Sequence, residues 1–205
     1  MSDLQRLVDI HEIANLQGRY LYYVQAHLYD RIVDEMFAQR EEHVSCEISE
    51  SGVYAGIDKI RALFVDLIKP LFVSAGSLPI HMLTTPVIEV DEDGRRAAGM
   101  WQTLGCNAFP TPQGLVATWQ QGKYDNRFVK EDGIWKFGQF RWLSNFRTPF
   151  DQGWVKQPAL PIGALDLDAF PPEVQPSKPG EPYPGYNPQM PMDFGPLPPE
   201  PRRQI

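Results

Sequence analysis

The chain has 205 residues and a mass of 23.4 kDa, with 19 basic against 26 acidic side chains and a net charge of −7. Hydrophobic residues make up 42% and charged residues 22%, values of a folded globular chain that exclude wholesale disorder. The acidic balance excludes a nucleic-acid binder working through a basic stripe, and no stretch approaches the run of about 20 apolar residues needed to span a bilayer.

The charged N-terminus, Met1 to Glu12, carries no signal-peptide pattern, so the expected location is the cytoplasm. Residues Leu7 to Val24 contain no proline, and Ile13, Leu16, Tyr20, Tyr23 and His27 recur at three-and-four spacing, which predicts a helix with one buried stripe. A second helix is predicted over Asp30 to Ala38. A third is predicted over Ile57 to Leu71, with Ile60, Leu63, Phe64, Leu67 and Ile68 inward and Pro70 near its end. Beyond it the period changes to two. Asp91-Glu-Asp-Gly94 and Lys130-Glu-Asp-Gly133 are hairpin turns, the first between Val87–Val90 and Arg96–Cys106, the second between Leu115–Val129 and Ile134–Leu143. Short extended pieces at His43–Ile48 and Ile80–Leu83 complete the set. Helices first and hairpins later make the class α+β.

Of 20 prolines, 14 lie from Pro158 onward. Residues 1–156 are therefore read as the domain and 157–205 as a Pro-rich extended tail. Its Phe170, Tyr183, Tyr186, Met190, Met192 and Phe194 suit a strap lying along its own or a neighbouring subunit. Cys46 and Cys106 belong to no ligand motif and read as reduced, small hydrophobes.

Several side chains carry possible chemistry. His81 lies in the extended Pro79-Ile-His-Met-Leu, and an imidazole titrates near neutral pH, which suits a general acid or base. Tyr20, Tyr23 and His27 share the helical stripe, where a phenol can donate to a leaving oxygen. Trp101, Trp119 and Tyr124, on predicted strands, could form a slot for flat rings, with plain core packing as the alternative for each. Arg141 and Asn145 end the last strand. They could hold a phenolate or hydroxyl, or Arg141 could instead form an outer-face salt bridge. There is no dinucleotide fingerprint, phosphate loop, zinc motif or nucleophile elbow, and His11, His27, His43 and His81 have no metal spacing. The expectation is no cofactor and no metal.

Arg19-Tyr20, Phe37, and Gly52-Val-Tyr54-Ala-Gly56 before the third helix, followed by Gly122-Lys-Tyr-Asp-Asn-Arg-Phe128 and Asp132-Gly-Ile-Trp-Lys-Phe137, resemble the SnoaL-like branch of the nuclear transport factor 2 superfamily in order and spacing. The resemblance covers about residues 5 to 155. It implies a cone in which a curved antiparallel sheet wraps around N-terminal helices and leaves an apolar pocket. It also implies a histidine at the position of His81 as acid or base, with Tyr20 and His27 as further catalytic candidates. Tyr23, Tyr54, Trp101, Trp119, Tyr124, Arg141 and Asn145 are the substrate-binding candidates. Many catalytic relatives carry an Asp where this chain has Gln25, so the His–Asp pair is either absent or supplied by Asp30. The implied function is a cofactor-independent lyase acting on a hydrophobic phenolic substrate through a quinone methide. One instance would be deformylation of a lignin-derived diarylpropane to a stilbene. The alternatives are a ketosteroid-isomerase-like enzyme or cyclase, and a non-catalytic ligand-binding module. The expected partners are a small aromatic substrate and further copies of the chain, as a dimer or trimer, with neither nucleic acid nor membrane.

Overall fold

The computed structural model describes residues 1–49, 51–157, 168–169 and 171–172. Helix α1, Asp3–Gln25, starts at a Ser2 cap whose hydroxyl accepts from the Gln5 amide at 3.2 Å. It ends at Ala26, and His27 takes the left-handed conformation (φ 57°). The His27 and Leu28 amides then bond back to the Val24 and Tyr23 carbonyls at 3.1 and 2.9 Å. This is a Schellman closure with histidine where glycine is usual. Helix α2, Tyr29–Arg31, continues through wider π-helical turns over Ile32–Met36, and α3, Ile57–Arg61, continues likewise over Ala62–Ile68 into α4, Lys69–Phe72. Among the described residues no helix is long and apolar enough to cross a membrane.

Among the described residues seven strands follow the order β2-β1-β7-β6-β5-β3, with β4 also against β5. They are β1 Ser45–Ile48, β2 Gly52–Ala55, β3 Leu78–Leu83, β4 Val87–Val90, β5 Arg96–Thr111, β6 Gly114–Glu131 and β7 Ile134–Pro149. All pairs are antiparallel except β1 with β7, which run parallel, so the sheet is mixed at that one join. The α+β cone, an unclosed curved sheet around N-terminal helices, is the observed architecture. Strand β2 was not foreseen as a strand, and β5 and β7 outrun their predicted ends. Pro110 is tolerated because β3 pairs β5 only as far as Ala108, so on that side no neighbour asks for the missing N–H. Residues 158–167, 170 and 173–205, which hold most of the predicted strap, lie outside the described residues.

The concave face holds the core. Phe37, Phe128, Phe137 and Phe140 are completely buried, and Tyr20 of α1 meets Phe137 and Phe140 at 6.1 and 4.8 Å between ring centres. Truncating one such phenylalanine costs about 3–5 kcal/mol. Two irregularities curve β6–β7, at Gln121/Gly122 and Arg127/Phe128. The first changes which residues of β7 face inward. Trp142 opposes Tyr124 and Ser144 opposes Gly122, yet Arg147 opposes Gln120. Asn145 is the extra residue that reverses the parity.

Gly105 sits in the same row, between His81 on β3 and Gln120 on β6. A Cβ there would run into the Ile80 carbonyl, a backbone atom that cannot swing aside, and would crowd the Gln120 amide nitrogen at 3.1 Å. Gly105→Ala is therefore expected to cost about 1–3 kcal/mol in urea unfolding. It should also shift the His81 ring resonances in NMR spectra; unchanged stability and spectra would show that β3 and β5 have slack at this join.

Candidate active site

The concave face opens into one apolar cavity between α1, α2, the α3–α4 segment and strands β3, β5, β6 and β7. It is narrow, with room of about 70 Å³ for water-sized molecules, and it opens to solvent at its mouth. Its walls include Val24, Phe64, Ile68, Leu71 and Phe72 on the helical side and His81, Gln120, Tyr124, Trp142 and Arg147 on the sheet side.

The sheet-side residues form a chain of hydrogen bonds whose direction can be worked out. The guanidinium of Arg147, a group that can only donate, reaches the Gln120 Oε1 atom at 3.1 and 3.0 Å through Nε and Nη2. That fixes the amide, so its nitrogen faces His81 Nε2 at 2.6 Å. An amide N–H2 only donates, so Nε2 must be an unprotonated acceptor. The imidazole proton then sits on Nδ1 and is given to Tyr124 Oη at 2.7 Å. The Tyr124 oxygen accepts from His81 and keeps its own proton for a partner. Trp142 closes the cluster, its ring 5.5 Å from His81 and 5.5 Å from the Arg147 guanidinium.

The same geometry explains the charge state of His81. Burial, and then the positive charge of Arg147, push its pKa down to about 3. Protonation would also set an imidazole N–H against the Gln120 N–H. The ring is therefore neutral across the physiological range. Burial pushes the Tyr20 and Tyr124 phenols well above their ordinary range, so both are protonated donors at neutral pH.

Of the side chains singled out from sequence, the structure brings Tyr20, His81 and Tyr124 to the cavity. The others lie elsewhere. His27 follows the last helical turn instead of extending its stripe; it serves the Schellman closure and faces Tyr29 at 6.3 Å. Tyr23 turns to the surface, donating to Glu35 at 3.0 Å under the Arg31 guanidinium. Tyr54 is buried opposite Cys46 in the β1–β2 pair. Trp101 is inward but packs edge-on to Phe128 at 6.2 Å, deep in the core. Trp119 has the opposite parity to Tyr124 and stacks on Phe150 on the outer face at 5.8 Å. Arg141 also faces outward, to Glu47 and Asp125 at 2.7 and 3.2 Å. Asn145, the residue of the bulge, bonds Gln121 at 2.5 Å. Asp30 pairs with Lys69 at 2.6 Å, and no carboxylate is among the described residues of the cavity wall. The partner of His81 on its Nδ1 side is a phenol, that of Tyr124.

Sequence reading missed Gln120, Trp142 and Arg147. Gln120 shares strand parity with Tyr124 and was open to discovery that way. Arg147 was hidden by the bulge. Among the described residues no cluster of three or more His, Cys, Asp or Glu could hold a metal ion.

The family described as SnoaL-like domain matches residues 5–141. No curated protein matches the chain. Solved structures similar to it include a hexachlorocyclohexane dehydrochlorinase, LinA type 2, at 22% identity over 73% of this chain and 93% of that one, TM-score 0.61. The LinA type 3 enzyme of Novosphingobium barchaimii LL02 is similar at 21% identity over 73% and 95%, TM-score 0.60. A protein provisionally assigned as a scytalone dehydratase, from Novosphingobium aromaticivorans, is similar at 18% identity over 78% and 97%, TM-score 0.59. At these identities the likeness is one of fold.

Proposed function

Because the chain belongs to the SnoaL-like domain family, we propose that it is a cofactor-independent lyase that eliminates water from a hydrophobic, hydroxylated aromatic substrate. The observation that carries this reading is the neutral imidazole of His81, held between a phenol and an amide on the wall of an apolar cavity. The dehydrochlorinase among its structural neighbours, and the neighbour provisionally assigned as a dehydratase, are named for elimination reactions, which supports the same class.

The hydrogen-bond directions suggest a balanced path. A guest displaces the Gln120 amide from His81 Nε2, and that lone pair takes the substrate C–H proton. Tyr124 gives its hydroxyl proton to the departing oxygen, which leaves as water. The His81 Nδ1 proton moves to the Tyr124 oxygen behind it. The imidazole ends neutral, with its proton transferred from Nδ1 to Nε2, and the substrate has lost one water. The Arg147 guanidinium, facing the same cavity, stabilises negative charge that develops on a substrate oxygen, and the oily walls strengthen that interaction.

The test is a panel of phenolic benzylic alcohols and hydroxylated ketones incubated without added cofactor and followed by ultraviolet absorbance. A conjugated product that survives chelator treatment is expected. Binding without turnover across the panel would instead identify a ligand-binding module. Release of formaldehyde would select the narrower diarylpropane cleavage. An isomerase or cyclase of the carboxylate-base type would need an acid on this wall, and among the described residues the wall offers none. Met82 and Leu104, cross-strand partners left half-exposed on the outer face, support a homo-oligomer as the accompanying proposal.

A further inference from the structure

Four polar atoms of the cavity-lining residues have no hydrogen-bond partner among the described residues: Tyr29 Oη, Ser51 Oγ, Asn107 Oδ1 and Trp142 Nε1. Their residues are 1%, 1%, 5% and 3% exposed. Each buried, unbonded polar atom costs about 1–3 kcal/mol, and native proteins keep few of them. Here four gather on one cavity, while Arg147, Gln120, His81 and Tyr124 on the same wall bond to one another.

The unbonded atoms differ in what they require. The Trp142 indole N–H can only donate, so its partner must be an acceptor. The Asn107 carboxamide oxygen can only accept, so its partner must carry an O–H or N–H. The two hydroxyls serve either way. In the sheet, Asn107 lies one row to one side of the Gly105–Gln120 pair that carries His81, and Trp142 lies on the other side, opposite Tyr124. A guest that satisfies both would have to reach across the hydrogen-bonded chain.

We infer that the cavity selects a multiply oxygenated guest, offering at least one hydroxyl donor and one acceptor oxygen, and discriminates against a halogenated hydrocarbon of the same outline. A carbon–chlorine bond provides no donor and a poor acceptor, so a chlorinated guest would leave the four atoms dry and unbonded. Sites built to hydrogen-bond a ligand reject analogues that lack the matching group far more strongly than they reject a changed methylene. By this measure the chain parts company with the dehydrochlorinases whose fold it shares. The inference deepens the proposed function, resting on the cavity as the substrate site, but it does not depend on turnover.

The test uses the full chain and two probes with equal numbers of heavy atoms, titrated calorimetrically. One is 4-hydroxyacetophenone, which has a phenol and a carbonyl; the other is 4-isopropylchlorobenzene. The oxygenated probe is expected to bind at least about tenfold more tightly, although it is the less hydrophobic. Tyr29→Phe and Asn107→Leu should each reduce that preference about threefold to tenfold, with the melting temperature unchanged or raised, because each removes a buried polar atom that no protein group satisfies. Equal binding of the two probes, or binding of neither, overturns the inference. So do variants that melt earlier while the preference stays intact. A preserved preference with no turnover of any alcohol would keep this inference and remove the lyase.

Discussion

His81→Phe is expected to lower turnover about 10²- to 10⁴-fold in the panel assay, the usual worth of a positioned acid–base group. Phenylalanine keeps the ring in the slot beside Trp142 but offers Gln120 no acceptor and Tyr124 no donor. Turnover within twofold of the parent would remove His81 from the reaction. The same variant carries a stability signature whose sign follows from the lowered proton affinity of the folded imidazole, about 3 against an ordinary 6.5. The unfolded chain takes up a proton near pH 6.5 that the folded chain refuses. The contribution of His81 to stability is thus fully present above pH 6.5 and declines as the pH falls from there toward 3. The slope is at most about 1.4 kcal/mol per pH unit. Urea unfolding at pH 7.5, 6 and 5 should show the parent losing more stability than His81→Phe. Parallel losses would mean that the imidazole is as easily protonated in the fold as outside it.

Asp9→Ala is expected to cost about 3 kcal/mol or more of folding free energy, as is usual when one partner of a buried pair is removed. Asp9 is on α1 yet completely buried, where it accepts from Lys130 of β6 at 2.5 Å and from Trp135 of β7 at 3.0 Å. Burial alone would raise the pKa of this carboxyl. Hydrogen bonds from Lys130, Trp135 and Gln5 outweigh that and hold it below the usual carboxylate range. Alanine would leave the ammonium and the indole N–H facing a gap. The parent should also lose this contribution in acid, as the pH drops below the ordinary carboxylate pKa and through the lowered folded value. Denaturant titrations at pH 7 and pH 3 test both points, since the gap between parent and variant should narrow at the lower pH. A variant as stable as the parent at pH 7 would mean that water replaces the carboxylate at no cost.

How far the sequence revealed the site depended on whether a regular period held. The stripe of α1 delivered Tyr20 because a helix keeps its spacing, and it failed at His27 because the helix ends at Gln25. Alternation placed His81 correctly, since β3 is regular over its six residues. Applied strictly, alternation also separates Trp119 from Tyr124, five positions apart, and Arg141 from Trp142, adjacent on the strand. Residue chemistry had grouped Trp119 with Tyr124, and the sheet put them on opposite faces. The hairpin turns were legible because Asp132 and Gly133, both with positive φ, form the two-residue turn that joins twisted strands. The parallel join of β1 to β7 was not legible, because it depends on how distant segments meet and not on either segment alone. Nor was the contact of Tyr124 with His81, which requires β3 and β6 to approach across a glycine of β5.

The extra residue in β7 has a consequence for how this protein can change. Deleting Asn145 would restore strict alternation, carrying Arg147 to the outside of the cone and bringing an uncharged neighbour into its place. No codon for a reactive side chain would have been touched, yet the interior would have lost its cation. An insertion or deletion of one triplet in this strand can therefore rewrite the electrostatics of the chamber in a single step, and descendants that differ there need not share a reaction even where every pocket-facing amino acid can still be found in their chains.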